Sequence, residues 1–109
     1  MKQDSVYRQQ ILDAIGKIER FAAGMSKEDF LSNEMAQSAV IMQLAIIGEL
    51  SKHLSEEFKS KVDLPWKQIA GFRDRAVHDY YRLELEFVWL TIQDDLPRLQ
   101  EALSMVEAL

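Results

Sequence analysis

Ala39-Val40-Ile41-Met42-Gln43-Leu44-Ala45-Ile46-Ile47 is apolar at eight of nine positions, with only Gln43 polar. Read outward, the stretch predicts a helix that starts after Ser32 or Asn33 and continues to about Leu54. A helix that is apolar all round must be covered all round. Two covers are open: a central core helix wrapped by its own chain, or a helix that meets a second subunit along part of its length. The run is too short to cross a bilayer, which takes about 20 residues. Gly48, just beyond it, costs roughly 1 kcal/mol against alanine inside a helix, and so marks a place where another helix comes close.

The flanking segments keep the same period. Tyr7, Ile11, Ala14, Ile18 and Phe21 step by four and three along one face, predicting a helix over about residues 5–23. Asp4 or Ser5 is placed to cap it, and Gly24 to stop it. Ser26-Lys27-Glu28-Asp29 reads as a capped single turn leading to Phe30 and Leu31. Residues 55–61 are polar and form a short helix or a loop. Asp63-Leu64-Pro65-Trp66 restarts the chain, since proline is tolerated in a first helical turn. The next helix should pack through Trp66, Ile69, Ala70, Ala76 and Val77 and end between His78 and Tyr81, with Tyr80-Tyr81-Arg82-Leu83 as connector. From about Glu84 to the C-terminus, Leu85, Trp89, Ile92, Leu96, Leu99, Leu103 and Val106 alternate steps of four and three. That phase runs through Pro97, which predicts a kinked or interrupted helix. The expected fold is all-α: an up-and-down bundle of four main helices plus short helical turns, one domain over residues 1–109.

Composition narrows the function. Four glycines and two prolines in 109 residues favour long helices over many short strands. No cysteine is present, which excludes disulfides and thiolate metal sites. The N-terminus lacks the apolar core of a signal peptide, so a reducing cytoplasm is the expected location and no membrane partner is expected. A net charge of −5 argues against binding nucleic acid by bulk charge, but leaves room for a local basic site.

One stretch supplies it. Gly71-Phe72-Arg73-Asp74-Arg75-Ala76-Val77-His78-Asp79-Tyr80-Tyr81-Arg82 gathers three arginines, two carboxylates, two tyrosines and a histidine. Histidine can serve as general acid or base, and arginine presents a fork of donors that fits phosphate. On an ideal helix Asp74 and His78 lie about 40° apart and Arg73 and His78 about 140° apart. Asp74 is therefore the expected i,i+4 partner of His78. Arg73 would join them by swinging its arm or by meeting a second copy across an interface. An ordinary salt-bridged helix end is the competing reading. His53 lies between Glu49 and Glu57 at four-residue spacings, but no second carboxylate–histidine pair completes a bundle metal site. A solvated face is expected there, with no metal and no cofactor. Serine triads and glycine-rich phosphate loops find no support.

Ile46-Ile47-Gly48-Glu49-Leu50, Leu64-Pro65-Trp66, Arg73-Asp74-Arg75-Ala76-Val77-His78-Asp79-Tyr80 and Trp89 with Asp95-Leu96-Pro97 together resemble the HepT-like toxins of the HEPN superfamily. The specificity lies in the Arg-x4-His-x-Tyr motif held in register with its flanks. The resemblance implies an all-helical homodimer whose paired motifs line a cleft that cleaves RNA without a metal. It also implies a prokaryotic toxin of a type VII-like toxin–antitoxin pair, neutralised when a minimal nucleotidyltransferase antitoxin attaches AMP to the motif tyrosine. A larger hetero-oligomer with that antitoxin is a further expectation. Carried over by position, Arg73 and His78 are catalytic, Asp74 supports them, and Tyr80 accepts AMP. The alternative is a non-enzymatic helical dimer that binds nucleotide or docks a nucleotidyltransferase.

Overall fold

A computed structural model describes residues 2–106 of the chain. Its elements are α1 (Lys2–Phe21), α2 (Lys27–Leu31), α3 (Glu34–His53), α4 (Glu56–Lys61) and α5 (Trp66–His78). A 3-10 turn (Tyr80–Arg82) then leads into α6 (Leu85–Leu90), a π-helical segment (Thr91–Asp95) and α7 (Leu96–Met105). Every element among the described residues is helical, and the fold is all-α as expected.

Local signals set most boundaries. Ser26 accepts from the Asp29 N–H while the Asp29 carboxylate accepts from the Ser26 N–H, a complete capping box for α2. Asn33 caps α3 through the Ala36 N–H at 2.9 Å, and Ser55 caps α4 through the Phe58 N–H at 3.0 Å. Gly24, at φ 74°, supplies the left-handed turn after α1. The start of α1 differs from expectation. The helix begins at Lys2, and Asp4 is spent on a long-range contact. Its carboxylate accepts from the Ser55 N–H at 2.8 Å and the Ser55 hydroxyl at 2.7 Å, joining the beginning of α1 to the turn after α3.

The last long helix carries the predicted interruption. Pro97 has no N–H to donate, and its ring crowds the carbonyl four residues back. The chain answers with a π-helical turn just upstream, in which the Leu96 N–H reaches the Thr91 carbonyl. The apolar phase survives the defect, since Ile92, Leu96, Leu99 and Leu103 all stay buried. The part of this helix expected beyond Val106 lies outside the described residues.

Ile11, Ala14, Ile15 and Ile18 of α1 meet Val40, Ile41, Leu44 and Ile47 of α3 in the core, with α6 and α7 closing one side. Burying such side chains contributes about 1.5–3 kcal/mol each. The buried Gln37 donates to the Phe30 and Leu31 carbonyls and fixes α2 against α3. The α3 helix is covered by α1 and α5 but not all round. Met35 and Met42 remain 83% and 60% exposed, with Ile46 beside them on the same face. Orientation of α5 also departs from expectation. Its buried anchor is Phe72, while Val77, expected inward, is 55% exposed.

Candidate active site

The geometry of Arg73 starts from Gly48. A Cβ built on Gly48 would lie 2.8 Å from the Ile69 carbonyl oxygen and 2.9 Å from the Arg73 Cβ. Only a residue without a side chain lets α3 and α5 cross this closely, and the crossing sets the start of the Arg73 side chain against α3. The close approach expected from Gly48 is therefore found, and α5 is the helix that makes it.

From that point Arg73 reaches along α3. Its Nε lies 3.2 Å from a Glu49 oxygen, and its Nη1 lies 3.3 Å from Asp74 Oδ1. The same Asp74 oxygen accepts from Lys52 Nζ at 3.1 Å. The other Glu49 oxygen lies 3.4 Å from His53 Nε2, and the His53 ring stacks on Tyr7 at 5.1 Å. Five groups from three helices thus form one chain: Tyr7, His53, Glu49, Arg73 and Asp74, with Lys52 closing its end. The hydrogen bond from Lys52, aided by Arg73 and opposed by partial desolvation, holds the Asp74 carboxyl below its ordinary value.

This overturns the pairing expected within α5. Asp74 faces Lys52 and Arg73, and the side chain of His78 makes no hydrogen bond or ion pair among the described residues. A charged amine one helix away outcompetes the local i,i+4 geometry, because Lys52 brings an opposite charge and a long flexible arm. His78 ends α5 as an exposed ring whose two nitrogens are unengaged by any described side chain. Arg73 and His78 are five residues apart, about 7.5 Å along the axis, and no hydrogen bond or ion pair joins them. His53 is taken by Glu49 and Tyr7, while Glu57 pairs with Lys61.

Beyond His78 the 3-10 turn carries both tyrosines outward. Tyr80 is 42% exposed and meets the ring of Tyr81 edge-on at 5.8 Å. Tyr81 is fully exposed. A 3-10 turn spaces side chains about 120° apart, and here neither of the two adjacent rings finds the interior. Glu49 and Lys52 were not read from the sequence as partners of the motif. Their signal is the polar trio Glu49, Lys52 and His53, which opens at i, i+3 and i+4 immediately after the Gly48 contact.

Among the described residues no helix is long and apolar enough to cross a membrane. The profile of the family described as Ribonuclease HepT-like matches residues 11–106. The chain is 38% identical over 95 residues to a Thermococcus cleftensis protein named "Probable ribonuclease HepT", covering 86% of each. It is 35% identical over 102 residues to a Caldanaerobacter subterraneus protein named "Putative RNase", covering 93% of this chain and 91% of that one. A Methanocaldococcus jannaschii protein named "Gamma-glutamylcyclotransferase and putative RNase" is 35% identical over 103 residues, 93% of this chain but 46% of that longer protein. No solved structure matches this chain. The family profile spans both the Gly48 crossing and the whole of α5, and the chain belongs to the HepT-like ribonucleases of the HEPN superfamily.

Proposed function

We propose that this chain is a metal-independent endoribonuclease, the toxin of a prokaryotic type VII-like toxin–antitoxin pair acting in the cytoplasm. Residues 1–109 would work as one HEPN-like unit and pair into a homodimer. The observation that carries this reading is the contrast within α5 of a family ribonuclease. Arg73 is anchored on α3, while His78, five residues on, is exposed and unengaged.

Cleavage without a metal needs a base, an acid and a cation for the phosphorane. One histidine cannot serve both proton roles at once. In the dimer His78 takes the 2′-hydroxyl proton and O2′ attacks phosphorus. The 5′-oxygen leaves with a proton from His78 of the partner subunit. Arg73 stabilises the charge on the non-bridging oxygens, with Asp74 and Glu49 setting its direction. The products are a 2′,3′-cyclic phosphate and a 5′-hydroxyl. The half-bare face of α3 and the exposed Val77 beside His78 support pairing of subunits near the motif. The test is cleavage of RNA in excess EDTA with analysis of the ends. Loss of cleavage in EDTA, or full cleavage by His78→Ala, would overturn it.

A second reading has its own observation. Arg73 already meets two carboxylates, and the chain is acidic overall. In a non-enzymatic dimer that binds nucleotide or docks a nucleotidyltransferase, Arg73 and His78 would only hold phosphate and transfer no proton. Harmless expression of the lone chain in its host, together with inertness on RNA and tight partner binding, would select this reading.

Regulation would act at Tyr80. A minimal nucleotidyltransferase antitoxin would transfer AMP from ATP to the phenol oxygen, releasing pyrophosphate and placing a phosphodiester beside His78. The exposure of Tyr80 in the turn directly after α5 supports this assignment.

A further inference from the structure

Beside the motif the chain forms an open depression of about 310 Å3 lined by Arg75, Asp79, Arg82, Leu83, Glu84 and Phe87. Small-ligand sites run roughly 300–1,000 Å3, so the space suits one compact group. Asp79 directly follows His78, and Arg82 ends the turn that holds Tyr80. The depression therefore adjoins the residues proposed to cleave RNA.

Its chemistry is specific. The Arg75 guanidinium lies 5.2 Å from the centre of the Phe87 ring and 5.7 Å from that of Phe72. A planar cation shared between two rings makes a stacking platform, and Phe87 is 42% exposed. Around it, Asp79, Arg82 and Glu84 make no side-chain hydrogen bond or ion pair among the described residues. Two carboxylates against two guanidiniums rule against a site for a bare phosphate. They suit a flat group with donors on its edge and a phosphate attached.

The geometry points to a nucleobase subsite, in which a base of single-stranded RNA next to the scissile bond stacks on Arg75 and Phe87 while Asp79 or Glu84 reads its edge. Single-stranded RNA is commonly held by stacking on aromatic and arginine planes with hydrogen bonds to the Watson–Crick edge. Carboxylates only accept, so they favour bases that present amino donors. Guanine offers two adjacent donors to one carboxylate, cytosine and adenine offer an exocyclic amine, and uracil offers a single ring N–H. Arg82 is placed for the phosphate of the same nucleotide. The subsite rests on the ribonuclease reading for its place beside the cut, but its affinity can be measured without cleavage.

The experiment uses the full-length protein and short single-stranded RNAs that differ in one base. Binding is measured on His78→Ala, and cut sites are mapped on the wild-type background. Added Phe87→Leu, which keeps an apolar residue at this half-exposed position, should lower affinity about tenfold, the scale of losing one base stack. Glu84→Gln should leave the fold intact and relax discrimination against uracil in both binding and cut sites. Affinity and cut-site sequence that are indifferent to both changes would overturn the subsite while leaving the ribonuclease standing. Base-selective, Phe87-dependent binding by a chain that cuts no RNA would keep the subsite and end the ribonuclease reading.

Discussion

Glu49 of α3 holds Arg73 of α5 at 3.2 Å, at the place where Gly48 lets the two helices touch. The cation proposed to grip phosphate is thus steered by a different helix from the one that carries it. Arg73 is about one-third exposed, so its pairing with Glu49 is a surface interaction of modest worth, about 0–1 kcal/mol. Its value lies in direction. Glu49→Ala should change stability by less than about 1 kcal/mol yet lower kcat several-fold with little effect on KM, as the guanidinium loses its set orientation. Denaturation and steady-state cleavage on the same preparation check this. Unchanged kcat would show that Arg73 needs no such guide.

Gly48→Ala poses two effects of opposite sign. Helix propensity favours alanine by roughly 1 kcal/mol. The new Cβ would lie 2.8 Å from the Ile69 carbonyl, a backbone atom that cannot swing aside. Overpacking of this kind costs about 1–3 kcal/mol, so the clash should win. The expected result is a lower Tm together with weakened cleavage, because the Arg73 anchor moves with α5. A rise in Tm would mean that the helices part without strain.

Acid should loosen the tie between α1 and the turn before α4. Burial of Asp4 pushes its pKa up, but hydrogen bonds from the Ser55 hydroxyl and N–H, together with the positive charge of the N-terminus, outweigh it and leave the carboxyl below its ordinary 3.8. A depressed folded-state pKa gives stability that is fully present above about pH 3.8 and is lost as pH falls through the folded value. Ser55→Ala removes one bond to Asp4 and the cap on Phe58, at a cost of about 1–2 kcal/mol at neutral pH. The gap between variant and wild type should narrow below pH 3.8, read from denaturant midpoints across pH. A gap that widens in acid would contradict this account.

Met42 stands on the face of α3 that this chain leaves bare. A dimer formed there should be broken by Met42→Glu, which places a charge in an apolar contact while leaving the folded monomer unharmed, since the residue is exposed. Light scattering should show a dimer for wild type and a monomer for the variant, with cleavage lost in parallel. Wild type that is monomeric at micromolar concentration and still cuts RNA would remove the need for paired His78 residues.

What the sequence disclosed was what local chemistry decides. The Ser26–Asp29 capping box, the Asn33 start of α3 and the interruption at Pro97 each depend on residues within a few positions of one another. Gly48 was legible because a glycine amid apolar helix formers has few reasons to be there except contact. The rotation of α5 was not legible. Phe72 and Val77 are both apolar, and the choice between them is made by the α3 crossing, which fixes Phe72 inward and turns Val77 out. The partner of Asp74 was hidden for the same reason, since Lys52 lies 22 residues away. The exposure of Tyr81 was not legible either, because a three-residue 3-10 turn at the surface offers its ring no interior to enter, and nothing in the neighbouring residues announces that turn.

The exposure of both tyrosines sharpens the test of regulation. Had Tyr81 been buried, access alone would single out Tyr80; instead Tyr81 is the more exposed of the two. Selection must then come from what the attached AMP can do. On Tyr80, two residues after His78, the added phosphodiester would sit where substrate phosphate is proposed to bind. Arg73 could pair with it, and its charge would repel incoming RNA. On Tyr81 the same group would extend into solvent and leave the cleft open. Tyr80→Phe should therefore keep much of the cleavage but escape neutralisation by the nucleotidyltransferase and ATP, while Tyr81→Phe should remain fully neutralised. Mass spectrometry of co-expressed protein should place AMP on Tyr80 and leave Tyr81 bare. AMP found on Tyr81, or catalysis-dependent neutralisation of Tyr80→Phe, would move the switch away from the motif tyrosine.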